Sequence, residues 1–135
     1  MGNRAVIHPK GFSTGIYLHW NGGRASVEGI LSACRELGYC DPEGDPSYAL
    51  ARMVNAASVL FGLTGCESIG IGSVEELDYN NMDNGVYIIG AGWKIVERKH
   101  FNGVEEVNQK KTDGIKTMIV QTLRVADDFN FEAGR

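Results

Sequence analysis

Residues 15–24 read GIYLHWNGGR, a stretch that begins as a strand and ends at the entrance to a helix. Side chains alternate between the two faces of a strand, so Ile16, Leu18 and Trp20 share one face while Tyr17 and His19 share the other. The apolar trio is expected in the core. Asn21-Gly22-Gly23-Arg24 then breaks the alternation. Ser26 follows as the expected N-cap, ahead of Val27, Ile30, Leu31, Cys34 and Leu37 at helical spacing, with Gly38 as the stop. That spacing predicts a helix over about 26–37.

Upstream, RAVIH at 4–8 makes a short strand, and the turn-rich connector PKGFSTG joins it to IYLHW as a hairpin. Downstream, Asp45 and Pro46 form an N-cap and first helical position. The stripe Leu50, Met53, Val54, Ala57, Leu60 and Phe61 carries the second helix to Gly62. From 67 the period changes. ESIGIGSVEEL alternates, NNMDNG is a hairpin-turn signal, and VYIIGAGWKIVERKHF supplies one long or two short strands. Trp93, Tyr79 and Tyr87 read as packing around that hairpin. Ile115, Met118, Ile119, Leu123 and Ala126 put a last helix over 112–129, although its β-branched residues are weak helix formers. The order β-β-α-α-β-β-β-α predicts an α+β fold, an antiparallel sheet with helices packed on one face, in a single domain spanning 1–135.

Composition narrows the function. Apolar residues make up 43% and charged residues 22%, ordinary for a soluble fold, and no apolar run approaches the roughly 20 residues that cross a bilayer. The opening MGNRAVIHPK lacks the apolar core of a secretory signal, so a cytoplasmic location is expected. A net charge of −4 argues against nonspecific nucleic-acid binding, which needs a basic field. The short basic clusters ERKHF (97–101) and QKK (109–111), and the acidic EELD (75–78) and DD (127–128), read as solvated surface. Cys34, Cys40 and Cys66 form no C-x-x-C pair and are expected as free thiols, Cys34 on the apolar side of its helix. His8, His19 and His100 have no metal-ligand spacing, and neither a metal nor a cofactor is expected. GIGSVE at 70–75 lacks the third glycine of a dinucleotide fingerprint. With no nucleophile elbow or Walker loop either, enzyme is the weaker reading.

The candidate site is the opening corner. Free N–H groups of a helix's first turn and its partial positive charge attract anions. Gly22 and Gly23 allow close backbone approach, Arg24 adds a guanidinium, and Asn21 and Ser26 add polar groups, while Tyr17 and His19 project nearby from the non-core face. Together these residues could seat a phosphate; they also describe a capped strand-to-helix turn with Arg24 in water.

MGNRAVI with GIYLHWNGGR, then DPSYALARMV, DNGVYII and RKHF, resembles a family of small, largely uncharacterised proteins encoded by phages and prophages, over residues 1 to about 101. The resemblance implies a phage setting and, by analogy with other small accessory phage proteins, counter-defence in the host cytoplasm. The expected partner is a host immune protein, blocked as anti-CRISPR proteins block theirs, or a nucleotide ligand that is sequestered. The alternative is a small enzyme acting on a nucleotide or phosphate ester, with His19 or His100 as acid or base. Self-association through sheet edges is also consistent with a strand-rich small protein.

Overall fold

Strands β1 (Ala5–Pro9) and β2 (Thr14–Leu18) form the expected hairpin, with Ala5 opposite Leu18 and Ile7 opposite Ile16. The computed structural model describes residues 3–77, 79–105 and 107–132, leaving out the side chains of 63–66 and 129–132. The side chain of Cys66 and all of Asp78 therefore lie outside the described residues. Helices α1 (Arg24–Glu36) and α2 (Pro46–Ser58) follow the hairpin, then β3 (Ile69–Ser73), β4 (Val86–Gly90), β5 (Lys94–Lys99) and α3 (Gln109–Glu132). The expected order holds only roughly, because 3-10 segments over Val59–Ser68 and Ala91–Trp93 are interposed.

The fold is α+β, but its sheet is mixed and not antiparallel throughout. The five strands lie in the order β3-β2-β1-β4-β5, and β1 and β4 run parallel with Ile7 opposite Tyr87 and Pro9 opposite Ile89. NNMDNG is accordingly not a hairpin turn. β3 pairs with β2 while β4 joins the far side of β1, so the chain between them crosses the sheet. Leu77 on that crossing packs with Tyr17, Val6, Val86 and Ile88 on one face of the sheet. The buried Asn81 shapes the end of the crossing. Its Oδ1 accepts from the N–H groups of Asp83 and Gly85 at 3.0 Å each, and its Nδ2 donates to the Gly85 carbonyl at 3.1 Å.

The other face carries the main core. Ala5, Ile7, Ile16, Leu18, Tyr87 and Ile89 meet Val27, Ile30, Leu31 and Cys34 of α1 and Leu50, Met53 and Ala57 of α2. Each large apolar side chain buried this way contributes about 1.5–3 kcal/mol. Trp20 is not part of it: β2 ends at Leu18, the backbone turns away, and Trp20 is 45% exposed. In α3, Ile119 and Val120 are buried, whereas the expected core positions Met118 and Ala126 are exposed.

The expected stop of α1 is visible in the backbone, and that of α2 is not. Gly38 takes φ +72°, and Tyr39 N–H reaches the Cys34 carbonyl at 3.1 Å while Gly38 N–H reaches Arg35 at 3.1 Å, a Schellman ending. Asp45 caps α2 by accepting from Tyr48 N–H at 3.1 Å, and the helix gives way to the 3-10 segment after Ser58, short of Gly62. α3 lies against α1 and runs parallel to it: Thr112 meets Ala25, Ile115 meets Gly29, and Lys116 and Arg124 meet Glu36 in turn. The two N-termini therefore sit side by side.

Candidate functional site

α1 starts two residues earlier than the sequence suggests. Gly23, with φ −70° and ψ 159°, is its N-cap, and Ser26 is a buried residue within the first turn and not the cap. Glycine is accepted at that position, and the Arg24 Nε bond to Glu28 Oε1 at 3.0 Å, one helical turn on, brings Arg24 into the helix. Gly23, Arg24 and Ser26 line one wall of a cavity of about 250 Å³. Its floor is Tyr87, and its other walls come from the end of β5, the following loop and the start of α3, including Arg98, Phe101, Glu105, Asn108 and Lys111.

Arg98 is the most buried of the cations there. It stands opposite Tyr87 across the β4–β5 pair, with its guanidinium carbon 3.8 Å from the Tyr87 ring centre and 4.2 Å from that of Phe101. Nη2 donates to the Asn84 carbonyl at 2.7 Å, so the Asn81-shaped turn also positions Arg98. Only 14% of its side chain is exposed. Burial pulls the guanidinium below its ordinary value, and Tyr87 opposes that pull. Arginine nevertheless stays charged. Burial likewise pushes the Tyr87 hydroxyl up, with Arg98 pulling it back, and that hydroxyl donates to the Gly22 carbonyl at 2.8 Å.

Arg24, Arg98 and Lys111 converge on this cavity, and among the described residues that line it Glu105 is the one carboxylate. Its two oxygens pair with Arg24 Nη1 and Arg98 Nη1. The second contact lies outside hydrogen-bond geometry, and Arg98 Nε has no hydrogen-bond partner among the described residues. Asn108 caps α3 by accepting from Lys111 N–H at 3.1 Å, so a second helix N-terminus opens beside that of α1. Each end carries roughly half a positive charge. The result is a locally cationic pocket in a chain of net charge −4.

The remaining sequence candidates lie elsewhere. Tyr17 and His19 are on the opposite side of the sheet: the Tyr17 hydroxyl and His19 Nδ1 are 2.8 Å apart, and the His19 ring meets Trp20 edge-on at 5.2 Å. Neither lines the cavity. Gly22 is pressed against β1, where a Cβ would come within 2.5 Å of the Asn3 carbonyl oxygen, so its small size serves chain packing. Asn21 takes the left-handed conformation, φ 59°, in the turn. Among the described residues no group of three or more His, Cys, Asp or Glu side chains gathers as a metal site, and no helix is long and apolar enough to cross a membrane.

Arg98 and Lys111 belong to the two basic clusters that read as solvated surface, and Arg98 departs most from that reading. A β-bulge is responsible: Ile88 faces Glu97 while Ile89 faces Ile95, so Val96 is an extra residue. The insertion moves Arg98 onto the face of Tyr87 and Ile95, which strict alternation from Ile95 would not do. The sequence signal that could have located it is aromatic: an arginine three residues before Phe101, with Tyr87 on a neighbouring strand. No protein-family model, curated protein or solved structure matches this chain.

Proposed function

We propose that this protein binds a small phosphorylated ligand, of the nucleotide class, in the cavity between the N-termini of α1 and α3, without transforming it. The observation that carries the reading is the charge count. Among the described residues that line the cavity, three cations and two helix N-termini face one carboxylate, Glu105, and Glu28, outside the lining, pairs with Arg24, inside an otherwise acidic protein. A terminal phosphate brings nearly two negative charges and three acceptor oxygens, which suits Arg24, Lys111 and Arg98 Nε, which has no hydrogen-bond partner among the described residues. A volume of about 250 Å³ is below the ~300–1,000 Å³ of pockets that enclose drug-sized ligands. It favours a phosphate with a limited part of its nucleoside enclosed.

In the phage setting that the sequence resemblance implies, holding a nucleotide signal would act as counter-defence by sequestration. Reading the protein as an enzyme is less well supported, because His19 and His100, its candidate acids or bases, do not line the cavity. The test is a thermal melt against linear and cyclic nucleotides, with Arg24→Ala as the control. A ligand at 100 times its dissociation constant stabilises the fold by about 2.7 kcal/mol, and that shift should vanish in the variant. If no nucleotide shifts the wild-type melt, the reading falls, and blocking of a host protein becomes the proposal to pursue by pull-down.

A further inference from the structure

Glu105 occupies the place where a ligand anion would sit. Its carboxylate bridges Arg24 of α1 and Arg98 of β5, and it comes from the irregular connection between β5 and α3. Val104 and Val107 nearby are almost fully exposed, so apolar burial at those positions does not hold this stretch down. The two-arginine bridge is then a principal tie between Glu105 and the body of the protein. Carboxylate and phosphate are recognised by the same guanidinium geometry, but the carboxylate leaves Arg98 Nε without a hydrogen-bond partner among the described residues. A phosphate has one more oxygen to offer.

We propose that Glu105 is an intramolecular competitor for the cavity: the unliganded protein holds its own carboxylate between Arg24 and Arg98, and a phosphate binds by displacing it. This rests on the cavity being the ligand site. A tethered group competes at a high effective concentration, and a site open for only a fraction of the time binds more weakly by that same fraction. The intact bridge thus sets a threshold. Weakly held monoanions are turned away, while a dianionic phosphate that reaches both arginines enters.

The experiment is calorimetric titration of inorganic phosphate and pyrophosphate into the full chain and into Glu105→Gln, with the exposed Glu76→Gln as the control for net charge. Glu105→Gln should bind phosphate at least about tenfold more tightly, the gain for a site previously open one-tenth of the time, while Glu76→Gln stays near wild type. Equal affinity in wild type and Glu105→Gln, or equal gains in both variants, overturns the competitor and leaves the site standing. Absence of binding in wild type and in a folded Glu105→Gln overturns the site itself. Should Glu105→Gln fail to fold, Glu105→Asp keeps the charge on a side chain one methylene shorter. It should still tighten binding, and unchanged affinity there also overturns the competitor.

Discussion

Arg98 and Cys34 show how burial sets the chemistry of single residues. Arg98 gives up water for two aromatic faces and one carbonyl, which fixes it in the cavity wall. Cys34 lies in the apolar core, and burial pushes its thiol up from the ordinary 9.0 to about 12, outweighing a backbone hydrogen bond that pulls the other way. The folded value lies above the unfolded one, so the stabilisation is complete below about pH 9 and is lost as the pH rises towards 12. Across that window this one group should remove about 1.4 kcal/mol per pH unit. Cys34→Ala costs core packing at neutral pH but should flatten the alkaline limb of a stability–pH curve relative to wild type. Parallel limbs would contradict the assignment. Cys34 was legible as buried from helical spacing alone, whereas Arg98 was not, because the bulge at Val96 changes which face it joins.

Among the elements, the α1–α3 contact depends on a missing side chain. A Cβ at Gly29 would lie 2.6 Å from Ile115 Cγ2 and 3.1 Å from the Thr112 carbonyl, while one at Gly114 of α3 would meet nothing within 4 Å. Overpacking costs about 1–3 kcal/mol, and replacing a helical glycine by alanine returns up to about 1 kcal/mol. Gly29→Ala should therefore lower Tm by a few degrees and Gly114→Ala should raise it, in paired calorimetric scans. A rise in both would mean that α1 and α3 do not pack as closely as described. The α2 start was legible because Asp45 and Pro46 act locally, as was the stop at Gly38, whose φ of +72° suits glycine. The beginning of α1 was misplaced because Ser26 resembles a cap while the chain uses Gly23. The parallel β1–β4 pairing had no local signal: NNMDNG carries turn residues, and only the tertiary register shows that the turn ends a crossing and not a hairpin.

For the whole molecule, the mixed sheet and the parallel α1–α3 pair together place two helix N-termini and residues from distant parts of the chain at one end. Arg24 lies within the stretch that the sequence singled out, but its companions Arg98, Glu105 and Lys111 are more than 70 residues away, beyond the reach of local spacing. The sequence candidates consequently divide. Gly23, Arg24 and Ser26 enter the cavity, and Tyr17 and His19 remain behind the sheet. The most direct measurement is a nitrogen–proton NMR titration of the full chain with pyrophosphate, following the backbone amides and the Arg98 Nε–H signal. Binding in the cavity predicts saturable shifts concentrated at residues 23–27 and at Arg98 Nε. No saturable shifts, or shifts confined to Tyr17, His19 and their neighbours, would contradict it.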